Sequence, residues 1–168
     1  LIAYNNAKRV IKLTKCDAIK LEGGIKIVNI IKYLVKKGIP VMGHVGLMPQ
    51  TSTNFKVKGK NFVQKKQILK DALAISNSGV FAIIIECVVE NLARKITKSV
   101  SIPTIGIGAS RYCDGQILVT EDMLGLSDFS PKFVKQYTNL NKIMEKSIKN
   151  YVKDVKMRRF PSFKNVYK

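Results

Sequence analysis

The chain has 168 residues, of which 46% are hydrophobic, enough for a single domain spanning residues 1–168 with a real core. Basic residues number 30 against 11 acidic ones, a formal net charge of +19. The basic residues are scattered, mostly Lys, with no Arg-rich block and no aromatic-interleaved stripe, so the charge points to solubility or an acidic ligand and away from specific nucleic-acid binding. No apolar run approaches the roughly 20 residues that span a bilayer. The longest, Val80 to Ile85, is the length of a strand, and Leu1-Ile2-Ala3-Tyr4 is too short for a cleavable signal. Cys16, Cys87 and Cys113 are widely spaced and odd in number. They fit neither a disulfide framework nor a zinc site and read as reduced thiols in a cytoplasmic protein.

In chain order, Ala7, Val10, Ile11 and Leu13 predict a helix over residues 3–14. Asp17 to Glu22 reads as a short strand closed by Gly23-Gly24. A helix follows with Ile27, Ile30, Ile31 and Leu34 on one face, ending at Gly38. Pro40 to Val45 is the next strand. Residues 48–63 form a polar loop containing Pro49, Ser52, Asn54 and Gly59, a length that in compact domains often carries function. A helix is predicted over Gln64 to Asn77. Val80 to Ile85 then has the composition of a strand buried on both faces. Glu90 to Ser99 is helical with Leu92, Ala93 and Ile96 inward. Ile102 to Gly108 is a fourth strand, and Ile117-Leu118-Val119 a short fifth. From Pro131 to about Met157, Phe133, Tyr137, Leu140, Met144, Ile148, Tyr151 and Val155 recur at helical spacing, a stripe whose usual meaning is core packing. The tail from Phe160 reads as extended.

Alternating strands and helices argue for an α/β fold with a parallel sheet. Periodicity alone leaves an open doubly wound sheet and a barrel equally admissible. In both, ligands bind at the C-terminal ends of strands. Lys20 and Glu22 end the first strand on the same face. They are candidates for a substrate-carboxylate contact and a hard-cation ligand, or a structural ion pair. His44, the lone histidine, sits between Gly43 and Gly46 and either shapes a pocket or fills the core. Glu86 follows six apolar residues. Poor solvation there raises a carboxylate toward the range of a general base; an exposed or Lys-paired carboxylate is the plainer alternative. Gly106 and Gly108 fit a phosphate cradle and a tight turn equally well. Cys87 has no sequence-visible base and reads poorly as a nucleophile.

The segments Asp17 to Gly24, Pro40 to Gln50, Ile85-Glu86-Cys87-Val88, Ile102 to Ala109 and Asp114 to Val119, in that order, resemble the ketopantoate hydroxymethyltransferase family; Phe160-Pro161 resembles its terminal segment. The resemblance implies the C-terminal part of a (β/α)₈ barrel, with about five parallel strands, flanking helices and a long C-terminal helix, assembled as a homo-oligomer. It implies transfer of a one-carbon unit from 5,10-methylenetetrahydrofolate to 3-methyl-2-oxobutanoate, giving 2-dehydropantoate in pantothenate biosynthesis. Carried onto matching positions, Glu86 is the proton acceptor, Glu22 a Mg²⁺ ligand and Lys20 a contact of the 2-oxo acid. A full barrel takes about 250 residues, and the match begins just before the family's fourth strand, without the two aspartate ligands of earlier strands. Ser110 to Cys113, Glu121 and Lys164-Asn165 depart from the family pattern. The chain is thus read as a piece of an active enzyme that is inactive alone, with a decayed non-catalytic remnant or a basic anion- or nucleic-acid-binding module as the alternatives.

Overall fold

The computed structural model describes residues 2–52 and 56–167. Asn54 of the predicted polar loop lies outside the described residues. Two compact units emerge, Leu1–Ile117 and Leu118–Lys168, and each is taken in turn.

The first unit opens with helix α1 (Ile2–Thr14), rich in Ala, Lys, Leu and Ile and free of Gly and Pro. Strand β1 (Ile19–Glu22), a 3₁₀ turn at Ile25–Ile27 and helix α2 (Val28–Lys36) follow. Then come β2 (Val41–Gly46), α3 (Phe62–Ser76), β3 (Ala82–Glu86), α4 (Glu90–Ser99), β4 (Thr104–Ile107) and β5 (Gly115–Gln116). Helix α3 begins two residues earlier than its apolar period, because Asn61 caps it by accepting a hydrogen bond from the Gln64 N–H at 2.9 Å.

All five strands are parallel and lie in the order β1-β2-β3-β4-β5. That order decides what periodicity left open. A doubly wound sheet reverses direction at a switch point, whereas a β/α barrel adds each strand beside the last. The first unit is therefore an arc of a barrel. Ala82, Ile83, Ile84 and Ile85 are all buried, the strand covered on both faces that their composition predicts. Ile83 and Ile85 join Val41 and Val45 against Ile31 and Leu34 of α2, Ala72 and Ile75 of α3, and Leu92, Ala93 and Ile96 of α4. This helix-side layer is the core.

The fifth strand corrects the sequence reading. It is Gly115–Gln116, not Ile117-Leu118-Val119. The apolar triplet has the higher strand propensity, but Asp114 sets the register. Its Oδ2 accepts from the Thr104 N–H at 2.8 Å and from Thr104 Oγ1 at 2.9 Å, which places Gly115 opposite Ile105. The ladder then runs out after the Ile117 N–H donates to Gly106 O. The β4–β5 crossover has no helix. Residues 108–114 lie over β4, and a Cβ at Gly106 would come within 3.1 Å of Cys113 Sγ. Gly106 thus makes room for the crossover.

The second unit contains a short helix α5 (Thr120–Leu124), closed by Gly125 in the left-handed region, and helix α6 (Leu140–Lys156). The sequence predicted a helix from Pro131. It begins nine residues later, where the Asn139 side chain accepts from the Lys142 N–H at 3.0 Å, leaving Phe133 and Tyr137 outside it. Core packing of the stripe is also not what is seen: α6 has no buried residue, and Met144, Ile148, Tyr151 and Val155 are exposed. The tail, predicted extended, contains a 3₁₀ turn at Phe163–Asn165, capped by Ser162.

Candidate active site

Strand register brings the polar strand ends together. Glu22 stands opposite His44, and Gly46 opposite Glu86. Side chains alternate along a strand, so Lys20, Glu22, His44 and Glu86 share one face, opposite the helix-side core. Lys20 and Glu22 form no ion pair with each other among the described residues; Glu22 Oε2 instead accepts from the Gln50 N–H at 3.2 Å. The loop following β2 therefore reaches back over the first strand, and Gln50 is a site neighbour that period and spacing could not reveal.

Glu86 ends β3, its side chain only 16% exposed. Burial pushes its pKa above the ordinary carboxylate value; the positive charge of Lys20 opposes that shift and the negative charge of Glu22 adds to it. Both influences place Lys20 and Glu22 within electrostatic reach of Glu86. His44 is fully buried. Its Nε2 lies 3.7 Å from Glu86 Oε2 and is hydrogen-bonded to Leu47 O. This approach to Glu86 is not an ion pair. Burial lowers the imidazole pKa, outweighing the raising effects of the Leu47 carbonyl and Glu22, so His44 is neutral near pH 7. A carbonyl acceptor requires a donor, which puts the proton on Nε2 and leaves Nδ1 a bare acceptor. Nδ1 has no hydrogen-bond partner among the described residues, an arrangement that costs about 1–3 kcal/mol.

Gly46 makes the approach of β2 and β3 possible. Its φ is +101°, and a Cβ there would sit 2.2 Å from Glu86 O, so only glycine fits. Next to Glu86, Cys87 is buried and takes a positive φ of 49°, turning the chain away from the strand. Burial, reinforced by the neighbouring Glu86 charge, raises the Cys87 thiol pKa, which suits a packed thiol and not a nucleophile.

Beside the tip of β2 lies a cavity of about 260 Å³, lined by Gly23, Gly24, His44, Gly46, Lys58 and Asp71 among others, but not by Lys20, Glu22 or Glu86. A larger cavity of about 500 Å³ between α3 and α4, walled by Phe62, Lys65, Leu69 and Lys95, holds none of the strand-end residues and no carboxylate, so it is not where this chemistry sits. For a divalent cation, Glu22 is a suitable oxygen donor. No group of three His, Cys, Asp or Glu side chains able to hold a metal occurs among the described residues, so the side chains present do not by themselves make a cation site.

The fold and these tips define a β/α-barrel chain with two carboxylates, a lysine and a buried imidazole on one face of β1 to β3. The chain belongs to the ketopantoate hydroxymethyltransferase family, whose sequence profile matches residues 2–163. It is 52% identical over 165 residues to the 3-methyl-2-oxobutanoate hydroxymethyltransferase of Pelagibacter ubique (strain HTCC1062), covering 98% of this chain and 64% of that protein. Against the protein of that name from Bartonella quintana (strain Toulouse) it is 53% identical over 169 residues, covering 99% and 62%, and against that of Bartonella henselae 54%, with the same coverage. The chain thus spans somewhat under two thirds of the length of the curated relatives it matches.

Proposed function

We propose that the chain supplies the proton-abstracting part of a hydroxymethyl-transfer site, in which 3-methyl-2-oxobutanoate takes a one-carbon unit from 5,10-methylenetetrahydrofolate to give 2-dehydropantoate. The observation that carries this reading is Glu86, a carboxylate largely buried, raised in pKa, and on the same sheet face as Lys20 and Glu22. The Lys20 ammonium binds the 2-oxo acid through its carboxylate or keto oxygen. Glu86 removes the C3 proton. The electron pair of that C–H bond forms the enolate, whose negative charge the Lys20 ammonium stabilises in a poorly hydrated site. The enolate C3 then attacks the folate methylene carbon as one of its two C–N bonds breaks, the freed nitrogen taking the proton from Glu86. A water displaces the remaining folate nitrogen from that carbon, its oxygen becoming the hydroxyl and one of its protons passing to that nitrogen, which releases tetrahydrofolate. Glu22 is the candidate ligand for the Mg²⁺ that the family resemblance implies; the steps above are those of side chains present in the chain. A homo-oligomer working in the cytoplasm belongs to the same proposal, and light scattering of the purified chain measures its assembly. Among the described residues no helix is long and apolar enough to cross a membrane.

The first half of the reaction can be tested without folate. In D₂O, wild type exchanges the C3 proton of 3-methyl-2-oxobutanoate for deuterium, followed by proton NMR. Glu86→Gln lowers that rate by at least about 100-fold while the 2-oxo acid still binds, as seen by saturation-transfer NMR. The base works ionised, so the wild-type rate rises with pH through the Glu86 pKa. The limb is displaced upward from the ordinary carboxylate position, as burial requires. Near-normal exchange in Glu86→Gln removes Glu86 as the base.

A further inference from the structure

We propose that His44 is a positioning residue for Glu86: through its Nε2–H it fixes Leu47 by its carbonyl, the Leu47 N–H in turn grips the backbone of Glu86, and the carboxylate is so held on the shared face. This rests on the reading of Glu86 as the base.

Three contacts close into one loop. His44 Nε2 donates to Leu47 O. The same peptide segment turns back, and the Leu47 N–H donates to Glu86 O at 2.8 Å. The imidazole that starts the loop ends it, with Nε2 3.7 Å from Glu86 Oε2. Gly46 permits this closure, since any side chain there strikes Glu86 O. The far side of the β3 tip is tied as well: the Cys87 N–H donates to Ile107 O at 2.9 Å, and Cys87 O accepts from the Lys58 N–H at 2.7 Å. With its backbone held from both neighbours, Glu86 keeps only side-chain rotation, and the imidazole Nε2 is a polar group beside that carboxylate. Stability alone does not account for an imidazole here. It is wholly buried and leaves Nδ1 without a partner among the described residues. An apolar side chain of similar volume would avoid that cost but would lose the Nε2–H contact with Leu47 O.

The chain contains a single histidine, so long-range ¹H–¹⁵N correlation of the labelled full chain reads one imidazole. The expected signal is the Nε2–H tautomer at about pH 7; the Nδ1–H tautomer overturns the proposal. Two variants separate positioning from packing. His44→Gln keeps an N–H near the place of Nε2, and His44→Leu does not. In the deuterium-exchange assay His44→Leu loses about 10- to 100-fold in rate at saturating 2-oxo acid, the scale of a displacement of roughly 1 Å, with KM within about twofold of wild type. His44→Gln restores the rate to within about threefold. Wild-type exchange in His44→Leu, or equal loss in both variants when both melt as wild type does, overturns the proposal. A wild-type chain that exchanges nothing defeats instead the reading that this chain by itself abstracts the proton. The clamp is then decided by the Leu47 amide, whose protection from hydrogen exchange is lost in His44→Leu and kept in His44→Gln if the clamp exists, and is equal in both if it does not.

Discussion

Strand β3 and helix α6 carry comparable apolar sequence and put it to opposite use. The six residues from Val80 to Ile85 end as a strand with Ala82 to Ile85 all buried, Ile83 and Ile85 against the helices. Helix α6 has the longer stripe and buries none of it. Periodicity specifies that a segment has an apolar face; it does not specify what covers that face. A continuous apolar strand in a parallel sheet needs cover on both sides, and the crossover helices that make the sheet possible supply one of them. An amphipathic helix needs only one partner, and nothing in its own sequence names that partner.

Substitutions in the two elements put this contrast to measurement, beginning where the loss is greatest. Truncating Ile85, which is fully buried, to Ala leaves a cavity and costs about 2–5 kcal/mol in urea unfolding. Ile148→Ser on the exposed face of α6 costs within about 0.5 kcal/mol. A penalty at Ile148 equal to that at Ile85 would mean that the stripe is covered in solution and that the contrast fails. Gly46→Ala comes next. Its positive φ and the close Glu86 carbonyl predict a loss of about 1–3 kcal/mol, together with loss of the Leu47 amide protection that ties β2 to β3. The last site is Asp114, which secures β5. Its hydrogen bonds from the Thr104 backbone and hydroxyl hold its pKa below the ordinary value. A depressed carboxylate stabilises the fold above its unfolded-state pKa, and that contribution disappears as pH falls through the folded-state pKa. Asp114→Ala is therefore less stable than wild type at neutral pH, and the difference shrinks in thermal melts taken at progressively more acid pH. A difference independent of pH would show that the ionised carboxylate is not what pins β5.

How much was legible divides along the same line. Local signals were sufficient for α4, whose inward Leu92, Ala93 and Ile96 all proved buried, and for β3. The strand ends also declared their polar residues, because a charged side chain directly after an apolar run is conspicuous. Failures came where a single side-chain hydrogen bond sets a boundary. Asn139 starts α6 after Phe133 and Tyr137 have already joined the apparent period. Asp114 moves β5 ahead of the apolar triplet by bonding to Thr104 ten residues earlier. The His44–Leu47–Glu86 loop was equally out of sight, since it joins a side chain to a residue just past its own strand and, through that residue, to the tip of the next strand. Barrel and doubly wound sheet differ only in strand order, which residue patterns do not encode and the pairing registers do.

The crossover from β4 to β5 gives the sheet an unusual fastening. Where the other crossovers place a helix, a seven-residue strap crosses Gly106, and Cys113 lies against that glycine with its sulfur accepting from Thr97 Oγ1 at 3.7 Å. A sulfur in that seat cannot accept an added oxygen or alkyl group while the strap lies flat. Its rate of alkylation is therefore a clock for the strap: each modified Cys113 records an event in which that segment lifted from Gly106, with Cys16, partly exposed already, as the internal reference for reagent strength.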